Sequence, residues 1–405
     1  MSRSRAAQPA TTGAPHAAPA VAAPAVARPP ARLANALTRV LATWLETPDP
    51  ARVRATVAGW GPDTWMTFRR VIVMHGLAPH LARGAPSSVV AGSLPNDVRA
   101  WLAAQDDLNA QRIRRMHADL GAILAAAAAA GIEVMPLKGA LLTTMPGADP
   151  YRRPMADLDL LVHPPNRAPM SAILDGLGYR REVDRAPRPT HDVYLDPGGG
   201  RLVSTAGEHP DNPRRVEVHT EVKRHLWAWV DDDDLTAALW SEAERGAVLG
   251  EPATLPRPET LFAHLSIHAS SDLLVGRGRL VQWVDLAAVA DRAGDPARMP
   301  HARLAYPALR LARRAQPGAL AALDLGELEA RIPRRLTDWA ASVALDGRCG
   351  LTMGRLPADP SGLGPRWERW RPDRWRLAVA YGDLPLPVAL ARHGLTIAGR
   401  ARHRG

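Results

Sequence analysis

Cysteine is nearly absent from the 405-residue chain: Cys349 stands alone. A lone cysteine excludes an internal disulfide and any multi-cysteine zinc site, and it fits a reducing, cytoplasmic setting. Lysine is almost as scarce. Lys138 and Lys223 are the only two, so arginine supplies 49 of the 51 basic residues. No apolar run approaches the ~20 residues that a membrane span needs, so no membrane partner is expected. A fixed-period repeat is also missing, which argues against solenoid and propeller architectures.

What is present is globular in composition, with 46% hydrophobic and 23% charged residues. The length suits two or three packed domains. The formal charge of +10 is weaker evidence for nucleic-acid binding than it looks, because abundant Ala, Arg, Pro and Gly with little Lys is the signature of a GC-rich genome. Where arginine is the default cation, a retained lysine marks a place for a compact point charge.

Residues 1–31 are an Ala/Pro-rich stretch that reads as a disordered, polyproline-like tail. Prolines 9, 15, 19 and 24 interrupt any signal-peptide core. Residues 32–130 read as helical: one amphipathic helix at its start, a second over Thr64–Ala82, and a third from Asn96 into the alanine run, capped by Asn96 or Asp97 and stopped by Gly131. The texture changes over 131–230. IEVMPL (132–137), DLDLLVH (157–163), DVYLDP, RLVST and RRVEVHTEV read as strands, with a helix over PNRAPMSAILDGLGY. Residues 231–345 read as helical again, and 346–405 as a Pro/Trp/Arg-rich segment. The expected fold class is therefore α+β: a small mixed sheet flanked by N-terminal and C-terminal helical regions.

Asp157-Leu158-Asp159 carries the chemistry. Alternate residues of a strand share a face, which places the two carboxylates roughly 7 Å apart. Carboxylates that close repel one another unless a cation sits between them, and hard oxygen ligands suit Mg²⁺ or Mn²⁺. A solvated pair of strand aspartates is the plainer alternative. Lys138-Gly139 follows a strand and opens a helical stretch, a place where backbone N–H groups and a lysine can hold an anion. Glu217 and His219 share a face of another strand. A third carboxylate would complete a two-metal cradle for phosphoryl chemistry, whereas pairing of Glu217 with Arg214 or Arg215 would make it merely structural.

A Gly-containing helix start, Asp-x-Asp on one strand and a third acid on a later strand together resemble the DNA polymerase β-like nucleotidyltransferase superfamily. The succession LKGALL, YRRPMADLDLLV (151–162), Leu177-Gly178-Tyr179 and VEVH (216–219) is more closely similar to an uncharacterised branch, nucleotidyltransferase family 5, over roughly 33–295. Members of that branch occur beside ribosomal-peptide biosynthesis genes. The resemblance implies that Asp157, Asp159 and Glu217 are catalytic and bind the metal. It implies that Lys138 and Gly139, with Arg152 or Arg153, hold the triphosphate of an NTP, ATP by default. Glu217 would also help deprotonate the acceptor, and His219 is an additional candidate. The implied activity is transfer of an NMP to an unknown small-molecule, peptide or protein acceptor. The superfamily's Gly-Ser is replaced here by Lys138-Gly139. The alternative is a degenerate fold acting as a non-catalytic binding or regulatory partner.

Other patterns carry less. His264 and His268 have the i, i+4 spacing of zinc ligands but no accompanying acid, and read as packed helix residues. Asp231–Asp234 read as a helix cap and solvated loop. Arg366–Arg371 with Arg374–Arg376 interleave arginine and tryptophan. That is a candidate nucleic-acid surface, with tryptophan packing under snorkelling arginines the favoured reading.

Overall fold

The computed structural model describes residues 31–83, 85–182, 191–198, 203, 209–224, 233–274, 278–292, 294–315, 318, 320–321, 323–342, 377 and 381–402. Cys349, the Arg/Trp segment, Asp231 and Asp232, nearly all of RLVST and the tail before Ala31 lie outside them.

Helices come first. α1 (Ala31–Glu46) buries Leu37 and Leu41 four apart on one face. α2 (Pro50–Val57) is capped by Asp49, whose carboxylate accepts from the Ala51 N–H at 2.9 Å. The stretch read as one helix over Thr64–Ala82 is two, α3 (Pro62–Met74) and α4 (Ala78–Arg83). The break is at Gly76, whose φ of +67° is left-handed. A Cβ there would stand 3.2 Å from side-chain carbons of Pro154 and Val281.

After α5 (Ala85–Gly92) comes the long α6 (Asn96–Ala129). Neither Asn96 nor Asp97 caps it: Pro95 holds the cap position with no side-chain bond, and Asp97 instead accepts from Arg69 at 2.7 Å. Its buried positions Asn109, Arg112, Met116, Leu120 and Leu124 recur every three or four residues, so one stripe faces inward along the helix. Gly131, at φ +69°, ends it in a left-handed turn.

The sheet follows: β1 (Val134–Leu137), the single turn α7 (Lys138–Leu142), β2 (Asp157–Val162), α8 (Arg167–Gly176), β3 (Arg180–Glu182), β4 (His191–Leu195) and β5 (Arg215–His219). The spatial order is β1-β2-β5-β4-β3. β2 and β5 are parallel and every other pair is antiparallel, giving a mixed sheet. Leu158, Leu160, Val162, Val216 and Val218 face the core, and the opposite face of β2 and β5 carries the acids.

β6 (Lys223–Arg224) pairs with β7 (Asp233–Asp234), and Asp234 accepts from the Thr236 N–H at 2.9 Å ahead of α9 (Thr236–Ser241). A hairpin, β8 (Glu244–Val248) with β9 (Glu251–Leu255), interrupts the region read as helical. Its two-residue loop, Leu249-Gly250, has both φ angles positive, as a tight hairpin turn requires. α10 (Pro258–Leu274), α11 (Leu280–Val289), α12 (Ala302–Ala315), α13 (Gly326–Arg331), α14 (Arg334–Ser342) and a last helix over Leu386–Arg402 complete the described chain. One connected apolar core runs from Ala34 through the sheet to Ala340. Among the described residues no helix is long and apolar enough to cross a membrane.

Candidate active site

Strand register assembles the site. Asp159 lies beside Glu217 on the parallel pair β2/β5, and Asp157 precedes Asp159 on the same face. On the other side of β2, Leu137 is the partner of Asp159, so Lys138 leaves β1 next to that carboxylate. Lys138 takes φ +47°, a strained conformation for a residue with a Cβ. From there its Nζ donates to Asp159 Oδ1 at 2.5 Å. On the far side of β5, His191 of β4 is the register partner of His219.

The three acids ionise unequally. Burial, then repulsion by Asp159 and Glu217, pushes Asp157 up to about 7. Burial also opposes ionisation of Asp159, but the Lys138 ammonium and the His219 hydrogen bond overcome it and hold Asp159 well below the usual carboxylate range. Glu217 is lowered too: burial works against it, and His219, His191 and Lys138 together outweigh that. His219 donates from Nε2 to Asp159 at 3.1 Å and lies 3.7 Å from Glu217. Desolvation disfavours its charge, yet the two carboxylates raise its pKa. Arg214 and Arg215 do not take Glu217: Arg214 binds Asp119 and Asp196, and Arg215 faces Glu182.

The remaining sequence candidates divide. Gly139 is buried beside the carboxylate site, and a Cβ there would meet Arg153 Nη1 at 2.5 Å. The glycine thus lets the Arg153 guanidinium approach the β1–α7 junction. Arg153 donates from Nε to Asp285 Oδ1 of α11 at 2.7 Å and from Nη1 to the Pro154 carbonyl. The field of Asp157 and Asp159 adds to that of Asp285 in keeping it charged against its burial. Arg152 turns to His80, with Nη2 3.5 Å from its Nε2, rather than to the acids. α7 is a single turn, so its dipole adds little to anion binding beside the charge of Lys138.

Three residues that frame the site are absent from the sequence reading. His191 begins β4 one residue before the predicted strand, and its position on the His219 face follows only from the β4/β5 register. Asp285 is a single acid inside the apolar run LVQWVDLAAV, and that burial was its one local signal. Arg112, 1% exposed, uses all of its donor groups on carbonyls: Nε on Met155 (2.9 Å), Nη1 on Asn212 (2.9 Å) and His209 (3.2 Å), and Nη2 on Ala156 (2.9 Å) and Pro213 (3.2 Å). Met155 and Ala156 lead into β2, and Pro213 leads towards β5. One guanidinium therefore fixes the entry of both acid-bearing strands. His264 is buried and His268 lies against Gln282 and Asp272, so neither forms part of this site.

The parallel pair of the mixed sheet presents three carboxylates, and Lys138 stands beside them where β1 ends. Residues 61–322, more than half of the chain, match the family described as uncharacterised nucleotidyltransferase, and the chain belongs to that family. Two solved structures are similar in part. The antibiotic-resistance factor ANT(2″)-Ia is 18% identical, with 51% of this chain and 96% of that one covered and a TM-score of 0.31. An antigenic nucleotidyltransferase-like protein from Paracoccidioides brasiliensis is 16% identical, with 51% and 92% covered and a TM-score of 0.33. No curated protein matches.

Proposed function

We propose that the chain transfers an NMP, AMP by default, from an NTP to a small-molecule, peptide or protein acceptor, within ribosomal-peptide or other natural-product biosynthesis. The observation that carries this reading is the β2/β5 register, which sets Asp157, Asp159 and Glu217 on one face. Burial and then mutual repulsion there raise Asp157, and crowded carboxylates of this kind fit a hard divalent cation. Asp157, Asp159 and Glu217 would hold Mg²⁺ or Mn²⁺. When bound, such ions neutralise triphosphate charge and favour in-line displacement.

The chain's own residues do the rest. Lys138 provides the compact charge for the phosphates, and Arg153 and Arg152 a second positive edge. Gly139 admits Arg153. An acceptor oxygen forms a bond to the α-phosphorus, the bond to the bridging oxygen breaks, and pyrophosphate leaves with that electron pair. Glu217 accepts the acceptor's proton, with His219 3.7 Å away on the same face. The contribution is positioning and charge, as in other phosphoryl transfers.

Calorimetric titration with ATP, GTP, CTP and UTP in Mg²⁺ tests the reading. Metal-dependent binding is expected in the wild type and absent in Asp157→Asn/Asp159→Asn. A folded wild type that binds no nucleotide overturns it and favours a non-catalytic partner role.

A further inference from the structure

Beside the three-acid site lies a set of ligands of different chemistry. His191, Glu217 and His219 bring their donor atoms within 4.8 Å of one another. His191 Nε2 is 3.4 Å from Glu217 Oε2, and His219 Nε2 is 3.7 Å from the same oxygen. The imidazole rings are 4.8 Å apart between centroids, tilted at 45°. We propose that these three residues form a second metal site, one that takes Zn²⁺ or a similar borderline divalent ion rather than Mg²⁺.

Geometry supports this first. Zinc bonds of about 2.0–2.1 Å at tetrahedral angles place neighbouring ligand atoms about 3.4 Å apart. The two histidine–glutamate separations, 3.4 and 3.7 Å, are close to that spacing, and closing the site draws the two histidine nitrogens together by at most about 1.4 Å from their limit of 4.8 Å. An octahedral Mg²⁺ would need oxygen neighbours about 2.9 Å apart and prefers ligands other than imidazole.

The scaffold supports it second. His191 and His219 are direct partners on an antiparallel pair, and Glu217 is two residues from His219 on the same face. All three are thus carried by adjacent strands rather than by loops. Their side chains are 27%, 17% and 13% exposed for His191, Glu217 and His219, which leaves an approach from solvent. Two imidazoles and one carboxylate with a fourth position open is also the donor set of catalytic zinc sites. In the metal-free protein His219 Nε2 donates to Asp159, and an ion at this site would be bound by that nitrogen instead.

The inference shares Glu217 and His219 with the proposed transferase site but does not depend on nucleotide transfer. The test is visible-absorption titration of the tag-free full chain with Co²⁺, followed by displacement with Zn²⁺. Expected is one Co²⁺ per chain, with the intense absorption of a tetrahedral ion, bleached by Zn²⁺. His191→Gln should lower the affinity at least about tenfold and lose the tetrahedral band, with an unchanged thermal melt. Asp157→Asn should keep the band while losing Mg²⁺-dependent ATP binding. A wild type that shows only weak octahedral absorption overturns the site. So does a band that survives in both His191→Gln and Glu217→Gln. If instead the band behaves as expected and no nucleotide binds to the wild type, the metal site stands and the transferase reading fails.

Discussion

Asp157 is ionised at a cost to the fold. Its carboxyl is pushed up to about 7 by burial and by Asp159 and Glu217, whereas in the unfolded chain it titrates near 4. The unfolded state therefore gives up this proton first, and the folded state loses stability as pH rises from about 4 to 7. Asp157→Asn should consequently raise stability at pH 8 by about 1–3 kcal/mol, and the gain should vanish below about pH 4. Denaturant melts at both pH values check this, and a destabilised variant at pH 8 would contradict the crowding. Gly139→Ala acts in the opposite direction. Its Cβ would displace Arg153 from Asp285, and overpacking of this kind costs about 1–3 kcal/mol. A melt would show the loss, and the further loss caused by Gly139→Ala should be smaller in an Arg153→Ala background, where the clash is gone.

Among the elements, α6 matters most for the site because Arg112 ties it to the approaches of β2 and β5. Arg112→Lys keeps the charge but cannot reach five carbonyls, and it should cost about 3–5 kcal/mol, the range for breaking a buried charged network. Hydrogen exchange should speed up at 155–159 and 213–217 more than in α10. Uniform acceleration would mean that Arg112 merely packs. The element boundaries that a sequence can show are those with local causes. α1 matches its amphipathic period, and α6 ends at Gly131 because a left-handed residue stops a helix. The split between α3 and α4 was harder to read. Gly76 is tolerated in a helix by composition alone, and the neighbours that forbid a side chain there, Pro154 and Val281, lie far along the chain. The β8/β9 hairpin escaped for a similar reason: its turn places Leu249, a poor left-handed residue, before Gly250.

Across the whole molecule, His75 joins the N-terminal helices to the C-terminal ones. Its Nε2–H donates to Thr38 at 3.0 Å, and its Nδ1 accepts from the Leu280 N–H at 3.3 Å. The Val281 N–H binds its carbonyl at 3.1 Å. Burial, aided by Arg279, lowers its pKa to about 3. His80, lowered to about 3 by burial and then Arg152, behaves alike. Both are neutral when folded and take up a proton near pH 6.5 when unfolded. Their contribution is therefore complete above pH 6.5 and is lost as pH falls towards 3, by about 1.4 kcal/mol per pH unit for each. Urea melts between pH 7 and 5 should show this slope, reduced in His75→Gln. An equal slope in the variant would place the acid sensitivity elsewhere.

The sequence by itself determined the class of fold, the two aspartates on one strand and the acid–histidine pair on another. These depend on alternation, and alternation is a property of a few neighbouring residues. Only the tertiary structure decided that β2 and β5 lie parallel with Asp159 beside Glu217, that β4 adds His191 to that face, and that Gly139 makes room for an arginine held by Asp285. Those arrangements join residues 14 to 146 positions apart. Strand order, register and helix docking set them through burial of the shared core, and no short stretch of sequence contains that information.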